Sequence, residues 1–564
     1  MVRLIPAQAV LQDGTALYEP IVPFFKTAEG CIFRKRYLRS RILFTERRNF
    51  MKKQLLTGVL AGLMMLSCAG CGASNAAGSA SAASTSAAAS GTGAAGRDTL
   101  HVAIMTDPEG LDPQKTSATS TYFVTMNVYE PLVMMDENWE IQPRLAESWQ
   151  VADDCQSVTF HLKKGVKFHN GREMTAEDVK YSIERLKEDD SPKKKYYANI
   201  TGAEIEDDYT ITFTTDKPDA VLLTSFAYPW SVIVPEECAD TLKTNPVGTG
   251  AYRFESWVPQ QEVKLTRNDD YYDTPASIEN VDYQVVPDTT TAMVGILNGD
   301  VDLVDVTGSP TPPIENNPAV SIYENSVNSV TVLGMNLDNE YLANEQVRQA
   351  MASAIDKDEI IQAVNEGHGD KVGSYLPSSA AEYIDTNDVL PYDVDHAKEL
   401  LAAAGYPDGF TIGLTLPKSY PMYTNIGQII ADQLERVGIH CEIEMVEWAD
   451  WMQNVYTDKN YDMTVMANSG RLSAYDFIAR FHSQSGDYIS DKTGEADEIL
   501  DKLKDELDAD TRTQLIQDFQ RLVAEKVPVV PLETQHRLYA MSSDLQGYVM
   551  YPSETTEFKV LSFS

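Results

Sequence analysis

A chain of 564 residues that is 43% hydrophobic and 23% charged is long enough for two or more ordinary domains, and its composition excludes wholesale disorder. Its 84 Asp and Glu against 46 Lys and Arg give a formal charge of −38, which repels phosphates and anionic head groups and makes DNA and RNA poor partner candidates. The six cysteines, Cys31, Cys68, Cys71, Cys155, Cys238 and Cys441, have no zinc spacing; neither a disulfide framework nor a structural metal is expected, so the fold has to rest on hydrophobic cores.

Residues 1–50 carry nine Lys and Arg against four Asp and Glu. They read as an over-extended start before Met51, with a basic cytoplasmic arm as the alternative. Residues 51–71 join two lysines to an apolar run, Leu55–Leu66, and end in small residues and a cysteine. That run is shorter than the roughly 20 residues of a membrane-spanning helix and has the form of an export signal. Its last residues, Ala69-Gly70-Cys71, resemble the lipobox of bacterial lipoproteins, which implies acylation of Cys71; Leu66-Ser67-Cys68 is a weaker competing site. Residues 72–97 are a Gly/Ser/Ala tether with no large apolar side chain, reaching about 25–30 Å. Beyond residue 71 the formal charge is −45.

In the body, strand and helix periods alternate, which predicts an α/β fold. Ser157–Leu162 alternates so that Val158, Phe160 and Leu162 share one face and His161 takes the wet one. Thr175 is placed to cap a helix running through Ile183 and Leu186, with Met174 packing on Val179. A stripe at Val347, Ala350, Met351, Ala354 and Ile355 predicts the next helix; Asp356 then caps another, with Gly367 as its stop. Further helices are predicted over Ala397–Ala404, ended by Gly405, at Ile429–Val437, and at Leu515–Val523, with a strand at Ile439–Met445. No repeat of 20–50 residues suggests a solenoid or propeller.

Several ordered segments resemble one family, the extracytoplasmic solute-binding proteins of ABC importers, family 5 or peptide/nickel branch. The strongest is Leu145-Ala146-Glu147-Ser148-Trp149 with residues 151–185. Others are Asn245–Tyr252 (NPVGTGAY), Asn298–Asp302 (NGDVD), Val347–Ala350 with Ala354–Lys357, and Ala397–Phe410, together with Pro113 in GLDP and Tyr129–Leu132. The resemblance implies an enlarged type II periplasmic-binding-protein-like fold, two α/β lobes joined by a two-strand hinge. The crossings are expected near Val330–Leu333 and Val527–Leu532, giving lobe 1 as 98–330 plus 536–564 and lobe 2 as 331–535. It further implies a monomer held at the cell membrane by its lipid, binding a small molecule, foremost a short peptide, and delivering it to a permease and ATPase complex. A nickel complex, an opine or an oligosaccharide is the alternative cargo on the same fold, and a secreted hydrolase the alternative of a different class.

Lobe 1 is expected to contribute the loop Asp107–Tyr122 to the ligand, and lobe 2 a loop from Met466 to Asp476. Thr119, Tyr122, Asn468, Arg471 and Tyr475 are the expected ligand-facing residues. Peptide binders of the family often carry an acidic residue in that second loop to pair with the ligand amine. The nearest match is Asp476, followed by Phe477 instead of proline. Arg471, planar and always charged, suits a ligand carboxylate. The eight histidines form no i, i+4 pair; His482 and His536 are the remaining cleft candidates, and no metal or cofactor is expected. There is no H-E-x-x-H, P-loop or G-x-S-x-G after a strand, and the G-x-G-x-x-G at Gly91–Gly96 lies in the tether. No catalytic residue is assigned, and Cys155, Cys238 and Cys441 are expected to be buried thiols.

Overall fold

The computed structural model describes residues 97–309, 311–489 and 491–564. The basic leader, the export signal, Cys71 and almost all of the tether lie outside the described residues.

Strand Thr99–Ile104 buries Leu100 and Val102 and pairs in parallel with Asn280–Val285 on one side and Leu303–Asp305 on the other. Glu262–Arg267 and Tyr252–Val258 extend this sheet in antiparallel fashion. Beside it stands a four-stranded antiparallel sheet in the order Ala146–Val151, Ser157–Leu162, Thr210–Thr215, Ile200–Asp207. The alternation read from Ser157–Leu162 is realised: Val158 and Phe160 are fully buried, and His161 is exposed. Helix Ala176–Leu186 starts where the pattern put it, with the Thr175 N–H donating to the Asp178 carboxylate (2.9 Å) and Met174 and Val179 both buried. The four-stranded sheet and this helix share one apolar core with Phe168, Phe226 and Trp230, while Leu100 and Val102 pack in a separate one.

The second lobe centres on Ser329–Met335, buried at every position as a strand covered on both faces must be. It pairs with Met463–Ser469, while Phe410–Pro417 and Ile439–Val446 lie parallel beyond it. Helix Glu345–Ala354 ends one residue before the predicted Ile355, because Asp356 opens the next helix, Lys357–Val364, by accepting the Glu359 N–H (3.1 Å). The glycines expected to stop helices do so just past them: Gly367 and Gly405 adopt φ of 94° and 96°. Helices Val394–Ala403, Pro421–Glu435 and Ala509–Lys526 account for the remaining stripes.

One strand belongs to both lobes. The first part of Val529–Ser542 pairs with Ser329–Met335, and from His536 to Ser542 it pairs with Val320–Ser326. At this change of partner His536 stands between two carboxylates, its Nδ1 2.6 Å from Glu324 and its Nε2 3.1 Å from Asp370. His368 lies 3.0 Å from the same Glu324, and Ser326 and Ser378 donate to Asp370. Glu533, fully buried and bonded to Asn365, is pushed up to about 7 by burial.

Asp370, with Glu324 behind it, raises the His536 imidazole to about 9 despite its partial burial. A folded-state value above the ordinary 6.5 makes the protonated ring a stabiliser below that pH, lost as pH rises through about 9. We therefore expect wild type to exceed His536→Gln by about 1–2 kcal/mol near neutrality, after allowance for solvent screening, and to lose that margin at alkaline pH. Urea midpoints of both proteins across the interval test this; a gap that does not change with pH contradicts it.

The three described cysteines are free, but they are not the buried thiols expected from sequence. Each is half-exposed. Cys155 sits in a turn at φ 50°, Cys238 in a single helical turn, and Cys441 on the strand that, among the described residues, ends its sheet.

Candidate ligand-binding cleft

The chain leaving Thr99–Ile104 forms a loop fixed from below by charge. Arg185, on helix Ala176–Leu186, holds Asp112 with two guanidinium nitrogens (2.5 and 3.1 Å) and Gln114 with one (2.8 Å). Asp112 in turn caps the short turn Pro113–Lys115. Helix Thr119–Thr125 follows, and the Tyr122 hydroxyl donates back to the Thr116 carbonyl (2.7 Å). Thr119 and Tyr122 thereby line a cavity of about 350 Å³, whose other walls include Tyr539, Arg537 and Glu554. Arg537 pairs with Glu554 (3.2 Å) and Asp305 (3.6 Å) and is strongly raised by them, while burial raises Glu554.

A second cavity of about 310 Å³ lies between the four-stranded sheet region and the segment 475–512, lined by Tyr196, Asp219, Tyr228, Tyr475, Asp476 and Arg512. Here Ser473 caps the short helix Ala474–Ile478. That cap presents Asp476 to the Tyr228 hydroxyl, which donates to it (3.1 Å) and accepts from the Leu472 N–H (3.2 Å). Burial raises the Asp476 carboxyl, opposed by the Tyr228 bond and the nearby Arg471. Among the described residues, neither Asp476 nor Arg471 has an oppositely charged side chain within 4.0 Å.

The five expected residues divide as follows. Thr119 and Tyr122 line the first cavity and Tyr475 the second. Arg471 donates to the Tyr196 hydroxyl, its guanidinium 5.4 Å above that ring. Asn468 is not a loop residue. Strand Met463–Ser469 runs through it in register with Val330, because the fully buried Ser329–Met335 offers a partner to its end. Its amide oxygen accepts from Arg480, and among the described residues its buried amide nitrogen has no partner. His482 faces Asp497 (3.7 Å) and Asp501 (3.3 Å), and neither it nor His536 lines these two cavities. Among the described residues no group of His, Cys, Asp and Glu is arranged to hold a metal ion.

The sequence reading did not single out Tyr228, Arg537 and Glu554, which line these cavities. The aromatic cluster Tyr228-Pro229-Trp230 was the available signal; Arg537 and Glu554 have none, since they meet only through the fold.

Two α/β lobes sharing a strand, with one cavity lined from residues 195–228 and 475–512 and another beside the first strand, are the architecture of a solute-binding protein. Residues 140–488 match the model of bacterial extracellular solute-binding proteins, family 5 (middle part), and the chain belongs to that family. Similar proteins include heme-binding protein A of Haemophilus influenzae, 28% identical over 79% of this chain and 88% of the relative. Oligopeptide-binding protein AppA of Bacillus subtilis is 27% identical over 75% and 84%. Among solved structures, HbpA2 from Haemophilus parasuis superposes with a TM-score of 0.74 at 25% identity, covering 83% of this chain and all of that one. DppA from Helicobacter pylori, in complex with the peptide STSA, gives 0.69 at 26% identity, covering 83% and 98%.

Proposed function

We propose that this protein captures a short peptide between its lobes and hands it to the permease and ATPase of an ABC importer. The carrying observation is that one short segment carries both charges a zwitterion needs, Arg471 for a carboxylate just before the helix Ala474–Ile478 and Asp476 for an α-amine within it, neither with an oppositely charged side chain within 4.0 Å among the described residues. A zwitterion complements both. The names of AppA from Bacillus subtilis and of the STSA complex from Helicobacter pylori favour a peptide over other cargo.

On this reading the lobes are 98–330 plus 536–564 and 331–535, and Thr119, Tyr122, Asn468, Arg471 and Tyr475 face the solute. The ligand favours the closed form because only there does it touch both lobes. Acylated Cys71 and the tether 72–97 keep a monomer at the membrane while leaving it free to turn; a single acyl chain binds marginally, several bind stably. Arg471→Ala is expected to weaken peptide binding by about tenfold or more in calorimetry, the scale of one charge-assisted bond. Unchanged affinity overturns the assignment of Arg471, and turnover of peptide by the purified protein would instead favour a hydrolase.

A further inference from the structure

In a chain with 84 acidic side chains, a buried cation that pairs with none of the described ones is informative. Lys193 is such a cation. Its side chain is 6% exposed, and its ammonium lies 4.1 Å above the Trp230 ring and 5.3 Å from the Tyr122 ring, with Ser117 Oγ at 3.3 Å. Among the described residues it has no carboxylate within 4.0 Å. Burial, then Arg471 and Lys195, lower it to about 8, and no carboxylate opposes them.

Arg471 reaches the same aromatic group from the other lobe. Its guanidinium covers Tyr196, whose ring is 5.5 Å from Trp230 and 5.8 Å from Tyr228. Tyr122 lines one of the two cavities, and Tyr196 and Tyr228 line the other. Two cations thus flank one set of rings. Aromatic faces return only part of what removing a cation's hydration costs, and a second like charge adds to the cost.

We infer that Lys193 and Arg471 together bind a carboxylate of the solute at this aromatic wall. This rests on the interlobe cleft reading above and extends it: the solute is anionic at the end that meets both lobes. Because the two cations sit on different lobes, the anion also removes a repulsion that closure would otherwise create. Binding of the carboxylate and closure are therefore coupled, and a neutral analogue loses both.

The test uses the full chain, with Lys193→Met and the charge-restoring Lys193→Arg. Native mass spectrometry compares matched pools of tri- to pentapeptides with free or amidated carboxyl termini, and thermal melts compare citrate with chloride at equal ionic strength. Wild type and Lys193→Arg are expected to prefer the free acids by about tenfold, and Lys193→Met to lose that preference. Equal retention of acids and amides by wild type, or a preference that survives in Lys193→Met, overturns the inference and leaves peptide binding standing. If neither pool binds but citrate stabilises only the proteins with a cation at position 193, the anion site stands and the peptide reading falls. If neither pool binds and citrate acts alike on all three proteins, both fall.

Discussion

Asp112→Ala is expected to destabilise the protein by about 3–5 kcal/mol, the range for stripping one partner from a buried ion pair. Asp112 and Arg185 are each only 6% exposed and meet through two nitrogens. Without the carboxylate, the guanidinium keeps a single side-chain acceptor, Gln114, and the turn Pro113–Lys115 loses its cap. The cost comes from the charge left behind more than from the bond removed. Asp112→Ala combined with Arg185→Met should therefore recover most of the loss in urea denaturation, as a double-mutant cycle reads out. A single-variant loss under about 1 kcal/mol contradicts the assignment. The pair supports the loop that carries Thr119 and Tyr122 to the first cavity, so solute affinity is expected to fall with stability.

Gly248→Ala is expected to cost about 2–3 kcal/mol for a different reason. A methyl group there would lie 2.2 Å from the Val128 carbonyl oxygen and 2.9 Å from the Tyr129 Cα. Both are backbone, and no rotamer change relieves them. Val128 is held in turn by the Gly250 N–H (2.9 Å), and the intervening Thr249 donates to the buried Glu130 (3.0 Å). The chain must part from its neighbour, with local loss of packing around Tyr129 and Tyr271. Thermal and urea midpoints measure the effect; a variant as stable as wild type would mean that this backbone approach is not rigid. The NPVGTGAY segment was recognisable by resemblance, and this contact gives the physical need for a glycine in it.

The strand alternation at Ser157–Leu162, the Asp356 cap and the glycine stops at 367 and 405 were legible because each depends on side chains within a few residues of one another. The loop assigned to 466–476 was not. Its first residues extend Met463–Ser469, and that extension depends on Ser329–Met335 lying alongside, more than a hundred positions away in the chain. The half-exposure of Cys441 has the same origin, since being an edge strand is a property of the sheet.

By itself, the sequence determined the family, the α/β class and the local starts and stops of helices, all encoded in neighbouring residues or in ordered motifs. Only the tertiary structure decided which charges find partners: Asp112 with Arg185, His536 between Glu324 and Asp370, and Lys193 and Arg471 with no carboxylate within 4.0 Å among the described residues. The physical reason is that a charge's partner is set by distance in space, and the segments that meet at these cavities come from opposite ends of the chain.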